Sequence, residues 1–274
     1  MPYRHAPYYV LVCIAVIIAG FWGSYFSVWG GVPWQFHAHG IAASIWVLMV
    51  LAQSWTPHHG QLALHRAVGK SSLLLFPFLI GGLAAIIDLT GKGFVANEPV
   101  RVLFGSQFVI GLALAVAAYV TLFYRALKFR RKVWVHSGYM LATPLILFES
   151  PLSRVFGNWM PGLTVHGPED LHRVIPSILA AMAVELVVIA AIWLRYRDRA
   201  RPFLVAGMFI VAQMVTMGLL SHNPVMEAML VAIGNVPSAA VVLTGFAIGA
   251  ATSWAGWQAG KRPSQQLAGA VQAA

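Results

Sequence analysis

One apolar segment carries three residues with functional side chains at a regular spacing. His39, Trp46 and Gln53 are each seven positions apart in an otherwise largely apolar run, so they share one face of a helix. Polar side chains are costly in lipid and usually face the interior of a helix bundle. The spacing therefore predicts a buried polar site in a membrane protein, with all three residues as candidates for cofactor binding.

Further histidines lie where other apolar segments begin or end, and they form two layers. One layer contains His39 and His172, and the other contains His65 and His136. Two b-type haems would need such layers, because each iron takes imidazoles from two helices. The alternative is that histidine simply avoids the apolar centre of the membrane. We expect an outer haem b at His39 and His172 and, as a further candidate, an inner one at His65 and His136.

Two other functions use overlapping residues. A metal-dependent membrane enzyme could bind Zn, Fe or Cu near the outer face and activate a bound water; its candidate ligands are His39, His172, His222 and Glu149. A proton-coupled transporter or lipid-binding scaffold could use Glu185, the deepest ionisable residue, as a proton relay. The alternative for Glu185 is a structural bond to Gln53 or to a serine. Whether the protein is an enzyme stays open.

The composition predicts the fold class. Hydrophobic residues make up 59% of the 274 residues and charged residues only 9%, with a mean hydropathy of +0.74. Such values are typical of membrane proteins. We predict an all-α, polytopic helix bundle with about eight transmembrane helices in a single domain over residues 1–262, followed by a flexible cytoplasmic tail over 263–274. The predicted spans are 8–28, 36–55, 71–89, 102–123, 133–148, 174–194, 203–220 and 238–256.

The charges predict the topology. The net charge is +10, and all but four of the 18 basic residues fall in loops on one side of the predicted membrane; the exceptions are Lys92, Arg101, Arg154 and Arg173. By the positive-inside rule the basic side is cytoplasmic, so both termini lie inside. The charge excess is thus a topology signal in the bacterial inner membrane and does not indicate nucleic acid. The predicted partners are the bilayer and quinone.

Three sequence elements resemble those of a known family. They are His39-x6-Trp46-x6-Gln53, Leu64-His65-Arg66-x2-Gly69 and His136-x3-Met140, with a later Arg154. Residues 36–154 thereby resemble an uncharacterised family of bacterial multi-pass membrane proteins with H-x6-W-x6-Q, L-H-R-x-x-G and H-x3-M elements, which implies no activity. A weaker similarity to transmembrane b-type cytochromes rests on histidines near helix ends.

Overall fold

The computed structural model describes residues 2–261, apart from the side chain of Leu147; the predicted tail over 263–274 lies outside them. This part of the chain is all helical, as predicted. Its α-helices are α1 (Ala6–Phe21), α2 (Trp34–Trp55), α3 (Leu62–Val95), α4 (Pro99–Lys128), α5 (Val133–Trp159), α6 (Val174–Tyr196), α7 (Arg201–Leu219), α8 (Pro224–Gly234) and α9 (Ser238–Ala259).

Six segments of the described residues are long and apolar enough to cross a membrane: Ala6–Phe26, Trp34–His59, Leu62–Val95, Pro99–Lys128, Pro168–Leu219 and Ser238–Ala259. The fifth of these contains both α6 and α7, which are joined by a short turn at Arg197–Ala200. Helix α5 is not among the six. The number of helices that cross the membrane therefore stays a prediction.

Two segments differ from the sequence-based expectation of loops. Residues 150–159, which lie outside the predicted spans, continue α5 to Trp159. Residues 224–234, expected to lie in an outer loop, form α8. Local chemistry explains the start of α8, because the side chain of Asn223 accepts hydrogen bonds from the backbone of Val225 and Met226 and proline occupies the first helical position.

Small residues allow the helices around the predicted site to pack closely. A Cβ atom added at Gly82 of α3 would lie 2.8 Å from the Cα atom of His39 on α2. One added at Gly20 of α1 would overlap the carbonyl group of Pro151 on α5. Close packing at small residues is the usual way in which membrane helices associate. Helices α1, α2, α3 and α5 are thus in close contact around His39.

Candidate functional site

Trp46 lies at the centre of the bundle and is fully buried. Its Nε1 atom donates a hydrogen bond of 2.9 Å to the hydroxyl of Thr143 on α5. The ring centroids of Phe76 and Phe123 lie 5.5 and 5.3 Å from that of Trp46, and these two phenylalanines stack on each other at 4.2 Å. Trp46, Phe76 and Phe123 form an aromatic layer in which the indole N–H has one polar partner.

Helix α5 carries its own row of polar residues, which matches the row on α2. His136, Thr143 and Ser150 are seven positions apart. Because α2 and α5 are antiparallel, the bond between Trp46 and Thr143 places Gln53 near the level of His136 and His39 near the level of Ser150, each about 10 Å from the centre. Sequence reasoning did not identify the row on α5, although the same spacing of seven is its signal.

Gln53, His65 and His136 meet at the end of the bundle where α3 and α5 begin; we call them the histidine cluster. The ring of His65 lies against the main chain of Gln53, and the rings of His65 and His136 are close enough to interact electrostatically. The Nε2 atom of Gln53 and the Nδ1 atom of His65 are buried without a hydrogen-bond partner in the described structure. A buried pair of unsatisfied polar atoms is typical of a site that binds a ligand or water.

One ring of this cluster is held in a defined orientation. The Nδ1 atom of His136 lies 2.9 Å from the carbonyl oxygen of Ala126 on α4. Because a carbonyl can only accept, Nδ1 carries the hydrogen and Nε2 is the free nitrogen of a neutral ring. Metal-binding histidines are commonly fixed in this way. The charges of Arg66 and Arg130 act on His65 and His136, respectively, so the cluster has a basic rim.

At the other end of the α2 row, the Nδ1 atom of His39 is buried and has no hydrogen-bond partner among the described residues. Arg154 is near enough to His39 to interact with it electrostatically. The guanidinium of Arg154 donates to the backbone carbonyl and the hydroxyl of Ser150, each at 2.8 Å, and lies over the ring of Phe21, 4.6 Å from its centroid. A fixed positive charge therefore lies beside His39.

Glu149, Glu185, Tyr119 and Cys13 form a second polar group, the carboxyl cluster. Glu185 is almost fully buried on α6 and lies against the main chain of Glu149. Its charge acts on Cys13 and Tyr119. One carboxyl oxygen of Glu185 and the hydroxyl of Tyr119 are buried without a partner in the described structure. Glu185 thus lies against Glu149. Gln53, one of the candidate partners for Glu185, lies beside His65 instead.

The other two proposed metal ligands lie at the surface. His172 is exposed, and its Nδ1 atom is 2.9 Å from the carbonyl oxygen of Glu169. His222 is exposed and lies 3.6 Å from Glu227. Within residues 2–261, no three His, Cys, Asp or Glu side chains are placed to hold one metal ion. His65 and His136 are thus near enough to interact electrostatically, and no contact joins the described side chains of His39 and His172.

The described residues thus form an all-helical bundle with membrane-length apolar helices, and this bundle contains the two polar clusters. Comparisons with protein-family models, curated proteins and solved structures found no match to this chain.

Proposed function

We propose that this protein is a redox protein of the bacterial inner membrane that binds a b-type haem between His65 and His136 and exchanges electrons with quinone. The observation that carries the proposal is that these two imidazoles, from α3 and α5, lie at the same end of the bundle and are near enough to interact electrostatically. Two imidazoles from different helices are the usual ligands of a low-spin membrane haem. The outer haem at His39 and His172 has less support, because the side chain of His172 is exposed.

The membrane topology is part of the proposal. Eight helices cross the bilayer in it: α1 to α7 and α9. The six apolar segments account for seven of these, because Pro168–Leu219 contains two helices. Helix α5 is the eighth, and it is enclosed by α1, α4, α6 and α7, so its polar residues face protein. The bias of basic residues places both termini in the cytoplasm.

Three features of the histidine cluster fit a haem. The bond from His136 to Ala126 leaves Nε2 free to bind iron. His65 provides a second ring with a buried nitrogen that lacks a partner among the described atoms. Haem carries two carboxylates, and Arg66 and Arg130 are the cations next to the two rings. The iron, when bound, would supply one-electron chemistry at a potential set by its ligands and surroundings.

Gln53 and the aromatic layer would control access to the histidine cluster. The amide N–H of Gln53 is a donor without a described partner, and the Oε1 atom of the same amide lies next to Gly69 on α3. Such a donor can bind a quinone carbonyl oxygen. The aromatic layer of Trp46, Phe76 and Phe123 is fully buried and lies beside Tyr119 of the carboxyl cluster, so it would limit the passage of water along the bundle.

The experiment is an absorption spectrum of protein purified from cells supplied with haem, with metal analysis of the same sample. We expect a Soret band and a reduced α band in the wild type, and the loss of both in His65→Ala and in His136→Ala. His172→Ala is the matched control and should keep both bands. If His172→Ala and His39→Ala remove the bands while His65→Ala keeps them, the haem is at the outer site. Metal without haem would favour the metalloenzyme.

A second candidate function, proton-coupled transport, is favoured by one observation. Glu185 lies in the middle of α6, is 1% exposed and has a carboxyl oxygen without a described partner. A carboxyl in this position can take up and release a proton along a membrane path. In liposomes that contain a pH-sensitive dye, Glu185→Gln should abolish proton flux if this function is correct. An unchanged flux, or no flux in the wild type, would exclude it.

A further inference from the structure

A separate pocket opens at the basic end of the bundle, where the start of α1 meets the connection between α2 and α3. Its volume is about 400 Å³, and it is lined by Arg4, His5, Pro7, Tyr8, Trp55, His58 and His59. We call it the basic pocket. It lies outside the histidine cluster, since His65 and His136 are not among the residues that line it. Its lining is unusual because four of these seven residues are arginine or histidine.

The basic groups are held close to one another. The ring of His58 lies against the backbone of Pro2 and is near enough to His59 and Arg4 to interact with them electrostatically. The ring of His59 stacks on Trp55 with centroids 4.2 Å apart and planes at 12°, and its Nδ1 atom is 3.0 Å from the carbonyl oxygen of Trp55. His59 is therefore fixed in place, with Nε2 as its free nitrogen.

No acidic residue is among the described residues that line the basic pocket. Cations that converge without an acid repel one another, and an anion between them removes the repulsion. Arginine and protonated histidine both bind phosphate through charge-assisted hydrogen bonds. The pocket thus has the charge, the donors and the volume for a phosphate group.

We propose that the basic pocket binds a phosphate group through Arg4, His5, His58 and His59. The position favours the headgroup of an anionic lipid as the source. Tyr8 and Trp55 are 58% and 42% exposed, and aromatic rings of this kind settle at the level of lipid headgroups. Basic pockets between membrane helices on the cytoplasmic side are the usual headgroup sites. A free phosphate ion would use the same donors.

The test is thermal unfolding of the full-length protein in detergent micelles that contain phosphatidic acid, with phosphatidylcholine micelles as the reference. A ligand at about 100 times its Kd should raise the Tm by roughly 5 °C. The double variant Arg4→Gln/His58→Gln should lose most of this shift. The side chains of Arg4 and His58 are exposed and half-buried, respectively, so their replacement should leave the Tm in plain detergent unchanged. An unchanged Tm there shows that the double variant folds normally. Arg195→Gln, an exposed cation outside the pocket, is the matched control and should keep the shift.

Two further arms identify the source and the chemistry. Millimolar inorganic phosphate without lipid should give little shift if the ligand is a headgroup; a full shift would assign the pocket to a free anion. The lipid shift should be smaller at high ionic strength than at low ionic strength, because salt screens the attraction between an anion and exposed cations. Equal Tm values in phosphatidic acid and phosphatidylcholine micelles, with no effect of phosphate, would overturn the proposal. A double variant that shows the same lipid-induced shift as the wild type would also overturn it. The haem spectrum is unchanged in the double variant, so the two proposals fail separately.

Discussion

Replacement of Thr143 by valine removes the one polar partner of the Trp46 indole while the volume of the side chain is kept. The hydroxyl of Thr143 accepts from Trp46 at 2.9 Å and donates to the carbonyl oxygen of Met140 at 2.8 Å. Both side chains are 0% exposed, so no water can replace the lost bond. An unsatisfied buried donor costs about 1–3 kcal/mol, and interhelical hydrogen bonds in membranes contribute about 0.6–1.7 kcal/mol. We expect Thr143→Val to lower the free energy of unfolding by about 1–2 kcal/mol.

The assay is equilibrium unfolding in mixed micelles of dodecyl maltoside and SDS. Thr143→Ser is the control: it keeps the hydroxyl, and the loss of one methyl group should cost about 0.8 kcal/mol or less. Trp46→Phe and the double variant complete a mutant cycle, whose coupling energy should be about 0.6–1.7 kcal/mol. A coupling energy near zero, or a Thr143→Val protein as stable as the wild type, would refute the register of α2 against α5 on which both clusters depend.

Two more predictions concern packing and pH. Gly82→Ala should destabilise the protein by about 1–3 kcal/mol, because its Cβ would lie 2.8 Å from the backbone of His39, whereas Gly23→Ala, with open space at its Cβ, should be neutral; equal stabilities in the same unfolding assay would contradict the close contact of α2 and α3. Tyr3 donates a 2.7 Å hydrogen bond to the carbonyl oxygen of Arg199, so Tyr3→Phe should cost about 1 kcal/mol at pH 8. Burial raises the pKa of Tyr3, so its contribution is lost as the pH rises above about 10; the difference between the wild type and Tyr3→Phe should therefore disappear by about pH 11, and a constant difference would exclude this linkage.

Apolar runs were sufficient to predict an all-α fold and to locate every long helix. They failed where a helix carries polar residues or is short. The fifth predicted span ended at residue 148, where the apolar run stops, but α5 continues to Trp159, and Arg154 is satisfied by Ser150 one turn before it. Helix α8 has 11 residues, which are too few to span a bilayer. A prediction based on membrane-length apolar runs therefore does not include it.

The site was predictable in part. The period of seven on α2 identified His39, Trp46 and Gln53, and the position of His65 and His136 near one surface suggested their pairing. Which residues meet across helices depends on the register between them, and a single sequence does not encode that register in any local pattern. The contact between Glu185 and Glu149 is of this kind. So is the basic pocket, in which His58 and His59 lie between two predicted spans and approach the start of α1.

The central claim is that His65 and His136 bind one haem, and a reduced-minus-oxidised difference spectrum tests it most directly. It should be recorded on wild type, His65→Ala, His136→Ala and His58→Ala, purified in parallel from cells supplied with haem. The account predicts an α band of b type in the wild type and in His58→Ala, and its loss in the other two. A flat wild-type spectrum, or an α band that persists in both His65→Ala and His136→Ala, would contradict it.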